Sequence, residues 1–220
     1  MEEIIIQEGS VCLRSVQELK RIRTEDFYQS LSAKVGMQTP ILPERTLYYG
    51  NRGEKRIYCI HRSPETAVIS VKDNNDELRE YTLKLPHLYF FHRFVHAAFD
   101  ELHVYCSGEK IRYSTDMLYH VPLKNLYQNG RVCMGSDLKF SLEGSDATKI
   151  LLVEQHFRCS TFNSDLDGAY KEHAPAAWYG HDPIEHWQEL SGQPDFDPGK
   201  VDWRRHCCWL DVVSRILEGE

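Results

Sequence analysis

Between Arg45 and Leu85 short apolar stretches alternate with turn residues, and this rhythm constrains the fold more than any other feature of the chain. Thr46-Leu47-Tyr48-Tyr49 is followed by Asn51-Arg52-Gly53, then Arg56-Ile57-Tyr58-Cys59-Ile60, then Ser63-Pro64-Glu65. Ala67 to Val71, the polar run Asp73-Asn74-Asn75-Asp76, and Leu78 to Leu85 complete the series. β-Branched and aromatic residues between polar turns predict an antiparallel meander joined by hairpins. Pro86 opens an aromatic, histidine-containing stretch, Leu88 to Phe94, which leads to another strand candidate at Leu102 to Cys106.

Helical signals flank this region. Ile4-Ile5-Ile6 is a short apolar run, and a helix is predicted from about Thr24 to Val35, with Thr24 as its cap and Glu25 and Asp26 in its first turn. Pro40 and Pro43 close that segment, since proline removes a backbone donor and biases its predecessor away from the helical region. Near the other end, Asp182-Pro183-Ile184-Glu185 reads as an N-cap, a first-position proline and a capping-box glutamate, with Gly192 as the stop. Trp209, Val212, Val213, Ile216 and Leu217 predict a last amphipathic helix packing back on the sheet. The expectation is an α/β (α+β) chain: an N-terminal helix, a four-stranded antiparallel meander, an ordered loop from Met117 to Ser136, and C-terminal helices. Residues 1–165 would form the core and residues 166–220 a helical extension packed on it.

Composition narrows the function. The 220 residues carry 26 basic and 33 acidic side chains, a net charge of -7, which gives no general attraction to nucleic acid or anionic lipid. No apolar run approaches the roughly 18 residues of a membrane span, and the acidic first residues do not form a secretory signal, so the cytoplasm is the expected location. Seven cysteines form no CxxC pair, so neither a zinc ribbon nor a disulfide framework is expected. His206-Cys207-Cys208 has no second ligand pair at metal spacing. Cys59 and Cys106 fall inside strand candidates and read as core, and Trp178, Trp187, Trp203 and Trp209 read as packing anchors.

The chemistry-bearing stretch is Leu118-Tyr119-His120-Val121-Pro122-Leu123-Lys124-Asn125-Leu126-Tyr127-Gln128-Asn129-Gly130-Arg131-Val132-Cys133-Met134-Gly135. Asn129-Gly130 favours a left-handed turn and puts Cys133 just beyond it. A thiolate there could act as a nucleophile, and the carboxamide of Asn125, eight residues upstream, could reach back to a developing oxyanion. His156 could instead serve Cys133 as a general base, which would make the protein a thiol hydrolase.

Asn125, Asn129, Gly130 and Cys133 stand in a register that resembles the active-site segment of ubiquitin-conjugating enzymes, where an asparagine closing a histidine-proline-asparagine triplet precedes the catalytic cysteine by eight residues. Leu123 and Lys124 occupy the histidine and proline positions of that triplet. Tyr119-His120, Pro122, Asn125 and Gly130-Arg131-Val132-Cys133-x-Gly135 are similar to the bacterial ubiquitin-conjugating-like family called PRTRC system protein B, a likeness extending from about Leu47 to Phe162. The resemblance implies that Cys133 takes a ubiquitin-like modifier from a ThiF-like activating enzyme as a thioester and passes it to an amine, with Asn125 stabilising the tetrahedral intermediate. It further implies no cofactor or metal, a JAB-type deconjugating protease as a further partner, and docking of the activating enzyme near the N-terminal helix. Lys124 and Lys139 would be candidates for self-modification. A non-catalytic scaffold that binds the modifier is the alternative within the same fold.

Overall fold

A computed structural model describes residues 3–7, 10–14, 19–23, 42–72, 77–135, 143–163 and 165–219. The chain divides into two compact units, Met1–Ile41 and Leu42–Glu220. In the first, β1 (Glu3–Gln7), β2 (Ser10–Arg14) and β3 (Leu19–Arg23) form an antiparallel sheet in that order. The Ile4-Ile5-Ile6 run lies in β1, opposite Val11, Cys12 and Leu13. The helix expected from Thr24 to Val35 lies outside the described residues.

The second unit is built on a six-stranded sheet. Its members are β4 (Thr46–Arg52), β5 (Lys55–Arg62), β8 (His87–Val95), β9 (Ala98–Ser107), β10 (Met117–Tyr119) and β12 (Arg205–Cys208). Their order is β12-β10-β9-β8-β5-β4. The intervening hairpin, β6 (Glu65–Lys72) with β7 (Leu78–Leu85), leaves this sheet and forms a second one with the two-residue β11 (Thr161–Phe162), which runs parallel to β6. The expected succession of neighbours is thus corrected: β5 pairs with β8 rather than with the strand that follows it. The reason is burial. β8 carries large apolar side chains on both faces, as a strand covered on both sides must. Leu88, Phe90 and Phe94 enter one core, and Tyr89 and Phe91 the other.

Helices cover both faces. The first, α1 (Asp146–Cys159), starts at Ser145, whose hydroxyl accepts from the Thr148 amide, and buries Ile150, Val153 and Phe157 at helical spacing. After α2 (Asp167–His173) comes α3 (Pro183–Ser191), where the Asp182 carboxylate accepts from the amides of Ile184 and Glu185, proline follows, and Gly192 is the C-cap. α3 lies along β7 and satisfies its free edge: Gln188 accepts from the Thr82 amide, Ser191 from the Lys84 amide, and the Trp187 indole donates to the Lys84 carbonyl. On the opposite core, α4 (Trp209–Glu218) buries Trp209, Val212, Val213 and Ile216, each contributing on the order of 1.5–3 kcal/mol. Trp178, Trp187 and Trp203 meet in one aromatic cluster. Among the described residues, no helix is long and apolar enough to cross a membrane.

Candidate functional site

The loop after β10 is ordered mainly by backbone. Leu126 and Val132 face each other in a tight antiparallel bridge, and His103 of β9 faces Arg131, so this short hairpin lies along the large sheet. The Tyr127 amide donates to the Arg131 carbonyl at 2.8 Å, Gly130 to the Tyr127 carbonyl at 2.8 Å, Val104 to the Gly130 carbonyl at 2.9 Å, and Val132 to the Leu102 carbonyl at 2.8 Å. At the tip Gly130 has φ 77°, and a Cβ there would stand 2.6 Å from the Tyr105 ring. Only glycine satisfies both demands. The Asn129 carbonyl accepts from the Tyr105 hydroxyl at 2.5 Å and lies 3.3 Å from His103 Nδ1, while the Asn129 side chain accepts from the Arg131 amide.

The hairpin delivers Cys133 to its far end, exposed. Its amide donates to the Asn125 carbonyl at 2.7 Å, which closes the loop between the two residues. Asn125 itself adopts φ 64°, a left-handed conformation that asparagine tolerates better than most residues. Its side-chain oxygen accepts from the Asn163 amide at 3.2 Å, just after β11. With the oxygen so engaged, Nδ2 is the end of the carboxamide left to donate. The Tyr127 hydroxyl neighbours the Cys133 sulfur, and this contact raises the phenol pKa from its ordinary value of 10.0. The Arg131 guanidinium sits over the Tyr127 ring at 4.4 Å.

Cys133 and Asn125 line a groove of about 370 Å³ together with Gly135, His156 from the last turn of α1, and Asn163 and Asp165 beyond β11. Four of the residues singled out in the sequence thus meet at one place. His156 shares the groove, but among the described residues no hydrogen bond joins it to Cys133. Asn129 and Gly130 form the turn that presents the cysteine, and Pro122 is buried. Tyr119 and His120 line other hollows. His120 stacks on His173 of α2 with centroids 4.2 Å apart and lies 3.1 Å from His206 Nδ1. Lys124 is buried and sits 5.1 Å over the Tyr170 ring, which argues against its self-modification, and Lys139 lies outside the described residues.

Tyr127, Asn163, Asp165 and the histidine partners of His120 were not legible as site residues. Tyr127 lies inside the motif, and its two-residue spacing from Asn125 is the signal that could have marked it. The others arrive from distant parts of the chain and carry no local signal. No group of three or more His, Cys, Asp or Glu among the described residues is arranged to hold a metal ion.

What this arrangement can do is specific: an accessible thiol on a backbone-locked hairpin, an amide donor in the same groove, and room beside them for an acceptor. Comparison with protein families finds a match to Prokaryotic E2 family D over residues 23–198. No curated protein and no solved structure matches the chain.

Proposed function

The chain belongs to Prokaryotic E2 family D, and from that premise we propose that it carries a ubiquitin-like modifier on Cys133 and transfers it to an amine of a target protein. The Cys133 thiolate attacks the thioester carbonyl held by a ThiF-like activating enzyme and expels that enzyme's thiol, leaving the modifier on Cys133. The acceptor amine then attacks the new thioester, the Cys133 thiolate departs, and the amine gives up its proton. An isopeptide bond replaces the thioester. Asn125 Nδ2 donates to the oxyanion of the tetrahedral intermediate, a contribution typically of about 2.7–4 kcal/mol. The likeness to PRTRC system protein B gives the finer reading: a bacterial cytoplasmic system with a JAB-type deconjugating protease, a conjugating core over residues 1–165, and residues 166–220 as its extension.

The observation that carries the proposal is the pairing of an exposed Cys133 with Asn125 across one hydrogen bond in one groove. Its test is a loading assay in which the purified protein and Cys133→Ser are each mixed with ATP, the activating enzyme and the ubiquitin-like protein, then run with and without reductant. The expected result is a reductant-sensitive adduct on the native chain, and on the serine variant a resistant ester or none. A native chain that binds the modifier yet never forms the adduct would turn the reading to a non-catalytic scaffold. With loading established, Asn125→Ala is expected to slow transfer by about a hundredfold and loading much less.

A further inference from the structure

Behind the hairpin lies a second hollow, of about 540 Å³, lined by His120, Gln128, Glu172, His173, Tyr179, Arg204 and Arg205. It is separate from the Cys133 groove, and no residue lines both. Two features set it apart from an ordinary polar surface. Among the described residues, neither the Arg204 nor the Arg205 guanidinium has an ion-pair or hydrogen-bond partner. And His120 Nδ1 is buried without a hydrogen-bond partner, while the His173 ring stacked on it turns its nitrogens to the Gln128 and Val121 carbonyls. Buried polar atoms in this condition are uncommon and call for a missing partner. We propose that the hollow binds a small oxyanion dianion of the sulfate or phosphate type, held by Arg204, Arg205 and the imidazole of His120.

The charges around it fit. His120 projects from the end of β10, His206 from β12 behind it, and His173 and Glu172 from α2. His103 and Arg215 act on His206 from β9 and α4. The one acid on the rim, Glu172, is already engaged with the Gln128 amide at 2.7 Å. Burial first and neighbouring histidines and Arg204 second lower the His120 pKa to about 3, so His120 stays neutral when nothing binds. A dianion reverses that balance. It favours the protonated His120 imidazole, so binding takes up a proton and strengthens as pH falls. An anion seated there would also touch Gln128, two residues after Asn125's neighbour Leu126, and so brace the loop that carries Cys133.

The test is a calorimetric titration of the full chain with inorganic sulfate, whose charge is constant across the range, compared with Arg204→Gln, Arg205→Gln and their double variant. Both arginines are exposed, so these variants are expected to fold. Saturable binding is expected, about tenfold weaker for each arginine removed, the scale of one charge-assisted hydrogen bond. It should be tighter at about pH 5 than at about pH 8, with net proton uptake at the lower pH. Inorganic phosphate should bind comparably and acetate much more weakly. The absence of saturable sulfate binding, equal binding by the double variant, or equal binding of acetate would each overturn the proposal. None of these readouts depends on a reaction at Cys133.

Discussion

Cys133 and the pair Cys59 and Cys106 are the same chemical group in opposite settings. Cys59 in β5 and Cys106 in β9 are fully buried, and burial pushes both thiols well above the ordinary value of 9.0, with Glu154 adding to the effect at Cys59. Such thiols behave as small hydrophobes. Cys133 instead ends a hairpin whose amide is bound to Asn125 while its sulfur faces a groove. Strand interiors hide a cysteine because both faces of this sheet are covered; a locked turn at the sheet's border fixes the peptide and frees the side chain. Reactivity here is a matter of backbone placement rather than of residue type.

The largest effect this contrast predicts is in alkylation. Iodoacetamide should label Cys133 on the folded chain, whereas Cys59 and Cys106 should react only through unfolding, slower by about a thousandfold or more for a domain of ordinary stability. Peptide mass spectrometry against time reads this directly. Equal labelling of Cys59 and Cys133 would break the contrast.

A second contrast sets the Cys133 groove against the histidine cluster. His120 has a pKa of about 3 and His206 of about 4 in the folded chain, lowered chiefly by burial and then by neighbouring histidines and arginines, against 6.5 for a free histidine. As pH falls below 6.5 the unfolded chain binds protons that the folded chain refuses, so stability declines towards pH 4. Each tenfold difference in proton affinity between the two states is worth about 1.4 kcal/mol. Solvent reaching His206 reduces its share, which leaves a loss on the order of a few kcal/mol by the low end of that window. Thermal melts across this range should show the slope. His61, its pKa also lowered to about 4 chiefly by burial, adds to the slope. His206→Gln should therefore make it shallower and Cys133→Ser should not, and an unchanged slope in His206→Gln would remove His206 as a source.

Two glycines sharpen the comparison within the loop. At Gly130 an alanine meets both a φ of 77° and the Tyr105 ring, so Gly130→Ala is expected to cost about 1–3 kcal/mol and to slow loading. Gly135 has φ 69° but open space around it, so Gly135→Ala should cost only about 1 kcal/mol. Paired melts measure the difference. Equal costs would mean that conformation alone, and not the Tyr105 contact, sets the requirement.

What the sequence disclosed follows the range of each interaction. The cap of α3 was legible because Asp182, Pro183 and Gly192 act within one or two turns, and the Asn129-Gly130 turn because its left-handed backbone is a local demand. The amphipathic α4 was legible from its spacing, and packs on β5. Strand partners were not. Nothing within β6 says that it will leave the large sheet, since its choice depends on what β8 can bury on two faces. The aromatic run from Leu88 to Phe94 lacks the alternation of a half-exposed strand because it has no exposed face. The same holds for the sites: Cys133 and Asn125 are eight residues apart and could be read together, whereas His120, His173 and His206 meet only because β12 joins β10 and α2 packs behind the loop.

The smallest expected effect separates the two chemistries that an exposed thiol could serve. A thiol hydrolase needs a base in hydrogen-bond reach of the sulfur, and removal of that base typically costs a hundredfold or more, on the order of 10²–10⁴. His156 lines the groove without a hydrogen bond to Cys133. A modifier carrier receives its thioester by exchange between two thiols, which calls for no imidazole beside the acceptor. His156→Ala should therefore leave loading of Cys133 within about twofold of the native rate, far below the scale of a lost general base. If loading held while Cys133→Ser abolished it, the two residues would be shown to act separately. A fall of about a hundredfold in His156→Ala, with the fold intact by thermal melt, would join them into one nucleophile-base pair and return the hydrolase reading.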